Sequence, residues 1–144
     1  MGATVPSAMH RSTFRMEWKR SARRNAPAAV FDAIVASVAE CLTAAFGEAL
    51  EAREIDASHG RLTSETVGEI ELEDDVPVLR RIHVRLKLKA SESEHETAMR
   101  LHQRFAGRCG VFRTLKSAIG ITTELSIEPE PEDMILGDQG QKGG

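Results

Sequence analysis

The segment from Pro27 to Arg53 limits what this 144-residue chain can fold into more than any other. After Pro27 it has no proline and a single glycine, Gly47, and apolar side chains recur at Phe31, Ile34, Val35, Val38, Leu42, Ala45, Phe46, Ala49 and Leu50. Spacings of three and four gather these on one broad helical stripe. Glu40, Glu48, Glu51 and Arg53 lie mostly outside it. Asn25 and Pro27 suit a cap and a first-turn proline. The pattern predicts a central helix of about seven turns, ~40 Å long. It is apolar over more surface than the short strands of one chain can cover, so a homodimer is expected.

Strand signals flank the helix. Thr13–Trp18 reads as a short strand, followed by a basic linker, Lys19–Asn25. Arg61–Leu72 is a second strand and Asp74-Asp75-Val76-Pro77 a turn. Arg81–Lys89 alternates without error, with Ile82, Val84, Leu86 and Leu88 on one face and His83, Arg85, Lys87 and Lys89 on the other. Ser91-Glu92-Ser93-Glu94 opens a helix over Glu94–Ala106, which uses Ala98, Met99, Leu101, His102 and Phe105 and stops at Gly107. Cys109-Gly110 starts a third helix, Val111–Ile119, closed by Gly120, and Ile121–Ile127 is the last strand. The expected organisation is a single domain over 1–128, loose over 1–11, with a disordered tail over 129–144.

Composition removes several function classes. Hydrophobic residues are 41% and charged ones 28%, ordinary for a globular domain. Lys+Arg number 19 against 22 Asp+Glu, so the whole molecule has no pull toward nucleic acid or anionic lipid. The basic run Arg11, Arg15, Lys19, Arg20, Arg23, Arg24 fits a phosphate-binding arm or a solvated linker, and the linker is preferred. No uninterrupted apolar run approaches the roughly 18 residues that span a bilayer, and Met1–His10 lacks the marks of a secretory signal. No membrane association is expected. Two cysteines fit a reducing compartment, hence the cytoplasm. The histidines, His10, His59, His83, His95 and His102, have no metal-ligand spacing with the cysteines. With no phosphate loop or dinucleotide fingerprint either, no metal or cofactor is expected.

The cysteines are the remaining chemistry. Cys41 is mid-helix beside the apolar stripe and on position alone reads as a small buried hydrophobe. Cys109 stands just before a helix start, between Arg108 and Arg113, where a thiolate is favoured. Spacing alone makes Cys109 the more acidic thiol and leaves Cys41 undecided.

The order of elements and two local patterns add a resemblance. Val30-Phe31-Asp32-Ala33-Ile34-Val35-Ala36-Ser37-Val38-Ala39-Glu40-Cys41 resembles the helical segment of the OsmC/Ohr family, whose Pro-x-Glu-Leu-Leu-Leu-Ala-Ser-Leu-Gly-Gly-Cys type of pattern carries a peroxide-attacking cysteine. Cys109-Gly110-Val111-Phe112-Arg113-Thr114-Leu115 resembles that family's Cys-Pro-Val-Ser-x-Thr-Leu segment. The likeness covers roughly residues 27–128. It implies an α/β (α+β) fold, with the long central helix packed on a curved antiparallel sheet, and an intertwined dimer with its sites at the interface. It also implies thiol-dependent reduction of organic hydroperoxides, with Cys41 attacking, Cys109 resolving and an external dithiol as reductant. Asp32, nine residues before Cys41, falls where the family has a glutamate that orients an arginine. The chain departs from the pattern in three ways. Asp32 is a methylene shorter than glutamate, and Gly110 replaces a proline. The shortened region before the helix leaves the arginine unassigned among Arg15, Arg20, Arg23 and Arg24.

Overall fold

A computed structural model of the protein describes residues 10–18 and 28–130. In chain order its elements are β1 His10–Trp18, α1 Ala28–Ala52, β2 Leu62–Glu73, β3 Val76–Lys89, α2 His95–His102, α3 Gly110–Leu115 and β4 Gly120–Glu128. Single 3-10 turns occupy Glu92–Glu94 and Phe105–Arg108. The class is α+β. Among the described residues, four strands form one sheet in the order β1-β2-β3-β4.

The expected antiparallel sheet is corrected to a mixed one. Only β2 and β3 run antiparallel; β1 lies parallel to β2, and β4 parallel to β3. The connections explain this. A tight hairpin joins β2 to β3, whereas α1 crosses over between β1 and β2, and α2 with α3 between β3 and β4. A helical crossover returns the chain to the same end of the sheet, and so makes the pair parallel.

Boundaries shift for local reasons. Asp74 and Asp75 both have left-handed backbones, φ 52° and 67°, so two residues suffice for the turn and Val76-Pro77 already belong to β3. The register shifts at Glu69/Ile70, leaving Arg80 as the extra residue. This bulge keeps Ile70, Leu79 and Ile82 all on the core side. The strand before α1 begins at His10, so His10 and Arg11 are paired with β2 rather than loose. Residues 1–9, the basic linker from Lys19, the cap at Asn25 and Pro27, and the tail from Pro131 lie outside the described residues. Glu130 is half-buried and ion-paired with Arg61 across the end of the sheet.

α2 is shorter than expected because the chain turns at Gln103-Arg104 before the 3-10 turn. Ser91 N–H donates to Glu94 Oε1 at 3.0 Å, which orders the turn leading into it. Ala98, Leu101, His102 and Phe105 share a stripe at i, i+3, i+4 and i+7. Met99 lies off that phase and is 40% exposed, contrary to expectation. α3 ends at Leu115 instead of Ile119, followed by a turn that buries Ile119.

The core lies between α1 and one face of the sheet. Val35, Val38, Leu42, Phe46 and Leu50 of α1 and Leu62, Ile82, Val84, Leu86 and Leu88 of the strands are fully buried, at roughly 1.5–3 kcal/mol per large side chain. Ala29–Ala52, with a mean hydropathy of 1.7, is by length and composition enough to cross a membrane. The expectation that no apolar segment reaches that length is corrected to this extent. Here the segment is the core helix, one stripe of which packs on the sheet. The opposite face of the sheet is a lattice of cross-strand polar contacts: Arg81 is ion-paired with Glu69 and Glu71 and Arg85 with Glu65 and Glu124, and His83 Nε2 lies 2.8 Å from Glu124 Oε1. In the basic outer row of β3, His83 and Arg85 therefore meet carboxylates of neighbouring strands, and Lys87 and Lys89 are solvent-exposed.

Three buried hydroxyls, of Thr43, Ser64 and Thr66, lie between α1 and the sheet. Thr43 Oγ1 donates to the Ala39 carbonyl at 2.6 Å and lies 2.9 Å from Ser64 Oγ, whose proton it is placed to accept. On the next inward position of β2, the fully buried hydroxyl of Thr66 has no hydrogen-bond partner among the described residues. An unpaired buried hydroxyl carries its desolvation cost uncompensated. Thr66→Val, which keeps the shape and removes the hydroxyl, is expected to stabilise the fold by about 1 kcal/mol. Thermal melting checks this, and a lowered midpoint would show that the hydroxyl is bonded in solution.

Candidate redox site

α1 presents Cys41 about halfway along its length, one residue before Leu42 of the buried stripe, and leaves it half-buried. Cys109 comes from the far side of the sequence, at the junction between the 3-10 turn and α3, and is 1% exposed. Phe105, four residues earlier, anchors that junction. Its ring packs on Phe46 of α1 with centroids 5.0 Å apart. The contact draws the start of α3 against the middle of α1. Cys41 and Cys109, 68 residues apart in sequence, are there joined as a disulfide, with Cα atoms 5.9 Å apart. That spacing is within the ordinary range for a disulfide.

Backbone geometry explains how Cys109 is held. It is the N-cap of α3, extended at φ −95°, ψ 112°, and its sulfur accepts the Phe112 N–H at 3.3 Å. Its own N–H donates to the Ala106 carbonyl at 3.0 Å. Gly110, where the related pattern has proline, occupies the first position of α3. A proline also fits that position, because its missing N–H is not needed there.

The structure does not bring Asp32 to the sulfurs. It lies half-buried in the first turns of α1. Nine residues of helix place it about 13 Å along the axis from Cys41 and two and a half turns around. It has no ion pair among the described residues. Of the arginines left open, Arg15 lies in β1, and Arg20, Arg23 and Arg24 fall outside the described residues. Among the described residues, no group of three His, Cys, Asp or Glu side chains is placed to hold a metal ion.

His102 lines the same packing unit. Its ring stacks on Phe105 and meets Phe46 edge-on, and Nε2 lies 3.0 Å from Thr123 Oγ1 of β4. The i, i+3, i+4 stripe of α2 signalled this boundary position, but the Thr123 partner came from a strand 21 residues away. Burial of the ring holds His102 below the usual imidazole value of 6.5. The unfolded chain therefore binds this proton at a higher pH than the folded one does. Stability should be unaffected by His102 above about pH 7. It should fall as the pH drops through 6.5 toward the folded value. Denaturant titrations from pH 7.5 to 5 should show that slope in the parent and a shallower one in His102→Gln. Equal slopes would remove His102 from the acid sensitivity.

A helix crossing a mixed sheet, with a cysteine in mid-helix bonded to a second at a later helix start, is a distinctive arrangement. The sequence matches the family described as OsmC-like protein over residues 31–124, more than half of the chain. The chain belongs to that family. Solved structures agree at the level of fold. An OsmC-like protein of unknown function from Vibrio cholerae aligns at 14% identity and TM-score 0.54, over 66% of this chain and 62% of that one. A candidate redox protein from Lactobacillus casei aligns at 15% identity and TM-score 0.53, over 67% and 64%. An OsmC-like protein from Mycoplasma pneumoniae aligns at 18% identity and TM-score 0.50, over 78% and 80%. The chain thus spans less than two thirds of the first two. No curated protein matches the sequence.

Proposed function

We propose that this chain is a thiol-dependent peroxidase that reduces organic hydroperoxides in oxidative-stress defence, acting as a homodimer in the cytoplasm. The observation that carries this reading is the pairing of Cys41 with Cys109 across 68 residues of sequence. In the reduced protein the Cys41 thiolate attacks the terminal peroxide oxygen. The O–O bond breaks, the alcohol leaves with a proton, and Cys41 becomes a sulfenic acid. The Cys109 thiol then attacks the Cys41 sulfur, releasing water and closing the disulfide. An external dithiol reduces this by two exchanges and is itself oxidised to a disulfide.

Exposure supports the division of labour. Cys41 is half-buried and Cys109 almost wholly buried, so peroxide and dithiol both meet Cys41 first. When the dithiol attacks Cys41, Cys109 departs as a thiolate, and the Phe112 N–H that already points at its sulfur stabilises the charge. Asp32 acts only through a third group, as a positioning carboxylate for a cation near Cys41. Asp32→Asn should slow the reaction with peroxide without moving the melting temperature, and an unchanged rate removes it from the site.

Peroxide consumption tests the reading as a whole. The purified protein, given cumene hydroperoxide and dithiothreitol, should turn over many equivalents. It should consume about one equivalent per site without the dithiol. Consumption no faster than the dithiol alone would refute the assignment.

A further inference from the structure

A cleft of about 530 Å³ lies between the C-terminal half of α1 and the turn that follows α2, within the size range of small-molecule sites. Its floor is apolar, made by Ala45 and Ala49 of α1 with Leu101 and Phe105. Its rim is cationic. Arg53 follows the end of α1, Arg104 lies in the break after α2, and Arg108 closes the 3-10 turn, with Glu48 as the one carboxylate among the lining residues. Arg61, Arg80, Arg81, Arg85 and Arg100 each hold a carboxylate. The three around the cleft have no ion-pair partner among the described residues.

Three guanidinium groups against one carboxylate leave an excess of positive charge beside a hydrocarbon surface. Guanidinium binds carboxylate through two parallel hydrogen bonds, and the alanines leave room for a chain to lie along α1. We propose that this cleft binds an amphipathic carboxylate of fatty-acid type, with its head among Arg53, Arg104 and Arg108 and its chain on the Ala45–Ala49–Leu101–Phe105 floor. Neither cysteine lines the cleft. Binding is therefore independent of the peroxidase reading and persists in Cys41→Ser.

Calorimetric titration of the full-length protein with dodecanoate, below its micelle concentration, tests this. Dodecyltrimethylammonium, with the same chain and opposite charge, is the control. Dodecanoate should bind saturably at one per chain, at least about tenfold more tightly than the cation. The double variant Arg104→Gln/Arg108→Gln should weaken dodecanoate by about tenfold or more while the fold still melts cooperatively. Ala49→Phe, which fills the floor, should weaken both amphiphiles. Absence of saturable binding, equal affinity for the two amphiphiles, or dodecanoate affinity unchanged in both variants would overturn the proposal.

Discussion

Replacing Cys41 with serine should reduce peroxide consumption by roughly a thousandfold or more, because loss of a nucleophile removes the whole covalent route. Cys109→Ser should behave differently. It keeps the attacking thiolate, reacts once at near the parent rate, and stops as a sulfenic acid that further peroxide drives to sulfinic acid. Stopped-flow consumption with a single equivalent separates the two variants. The position of Cys109 at the start of α3 sets up the opposite expectation, that it is the more acidic thiol and oxidises first. Fast reaction in Cys41→Ser with an inert Cys109→Ser would reverse the roles. The two readings thus differ in which variant survives.

The second large effect is expected at Phe46, which is fully buried on α1 and touches both Phe105 and His102. Phe46→Ala should cost about 3–5 kcal/mol, the usual range for a large aromatic removed from a core. The lost ring also releases the segment that positions Cys109, four residues beyond Phe105. Disulfide closure after peroxide should slow even at temperatures where the variant is folded. A Phe46→Leu variant, which keeps most of the volume, separates the effects. It should recover much of the stability, leaving the rate of closure to report on Phe105. If closure in folded Phe46→Ala matches the parent, the ring contact does not position Cys109.

Periodicity made α1 and the Arg81–Lys89 part of β3 readable, whereas Val76–Leu79, which precede the bulge at Arg80, carry a proline and break the alternation. The Asp74-Asp75 turn was visible as polar residues between strands, but its two-residue form depends on left-handed backbones that aspartates only tolerate. The mixed sheet was missed because strand direction is a property of the connections. Helical segments between β1 and β2, and between β3 and β4, carried that information, and strand patterns alone do not. α2 and α3 were read too long because Gln103-Arg104 and Lys116–Ala118 are compatible with helix and turn alike; packing of Phe105 and Ile119 decided between them. The meeting of Cys41 with Cys109 was legible only through the likeness of their two local patterns to a family. Spacing of 68 residues neither required nor forbade it. The arginine-rimmed cleft had no local signature at all, since Arg53 and Arg104 come from segments fifty residues apart.

The most direct test follows the two sulfurs themselves. The fully reduced protein should be treated with one equivalent of cumene hydroperoxide per chain, blocked with an alkylating agent, digested without reduction and mapped by mass spectrometry. A peptide pair linked through Cys41 and Cys109, with loss of both alkylatable thiols and release of one cumyl alcohol, is the expected result. If both cysteines are recovered alkylated after excess peroxide, or if the only oxidised product joins Cys41 to Cys41 or Cys109 to Cys109 between chains, the proposed chemistry is wrong.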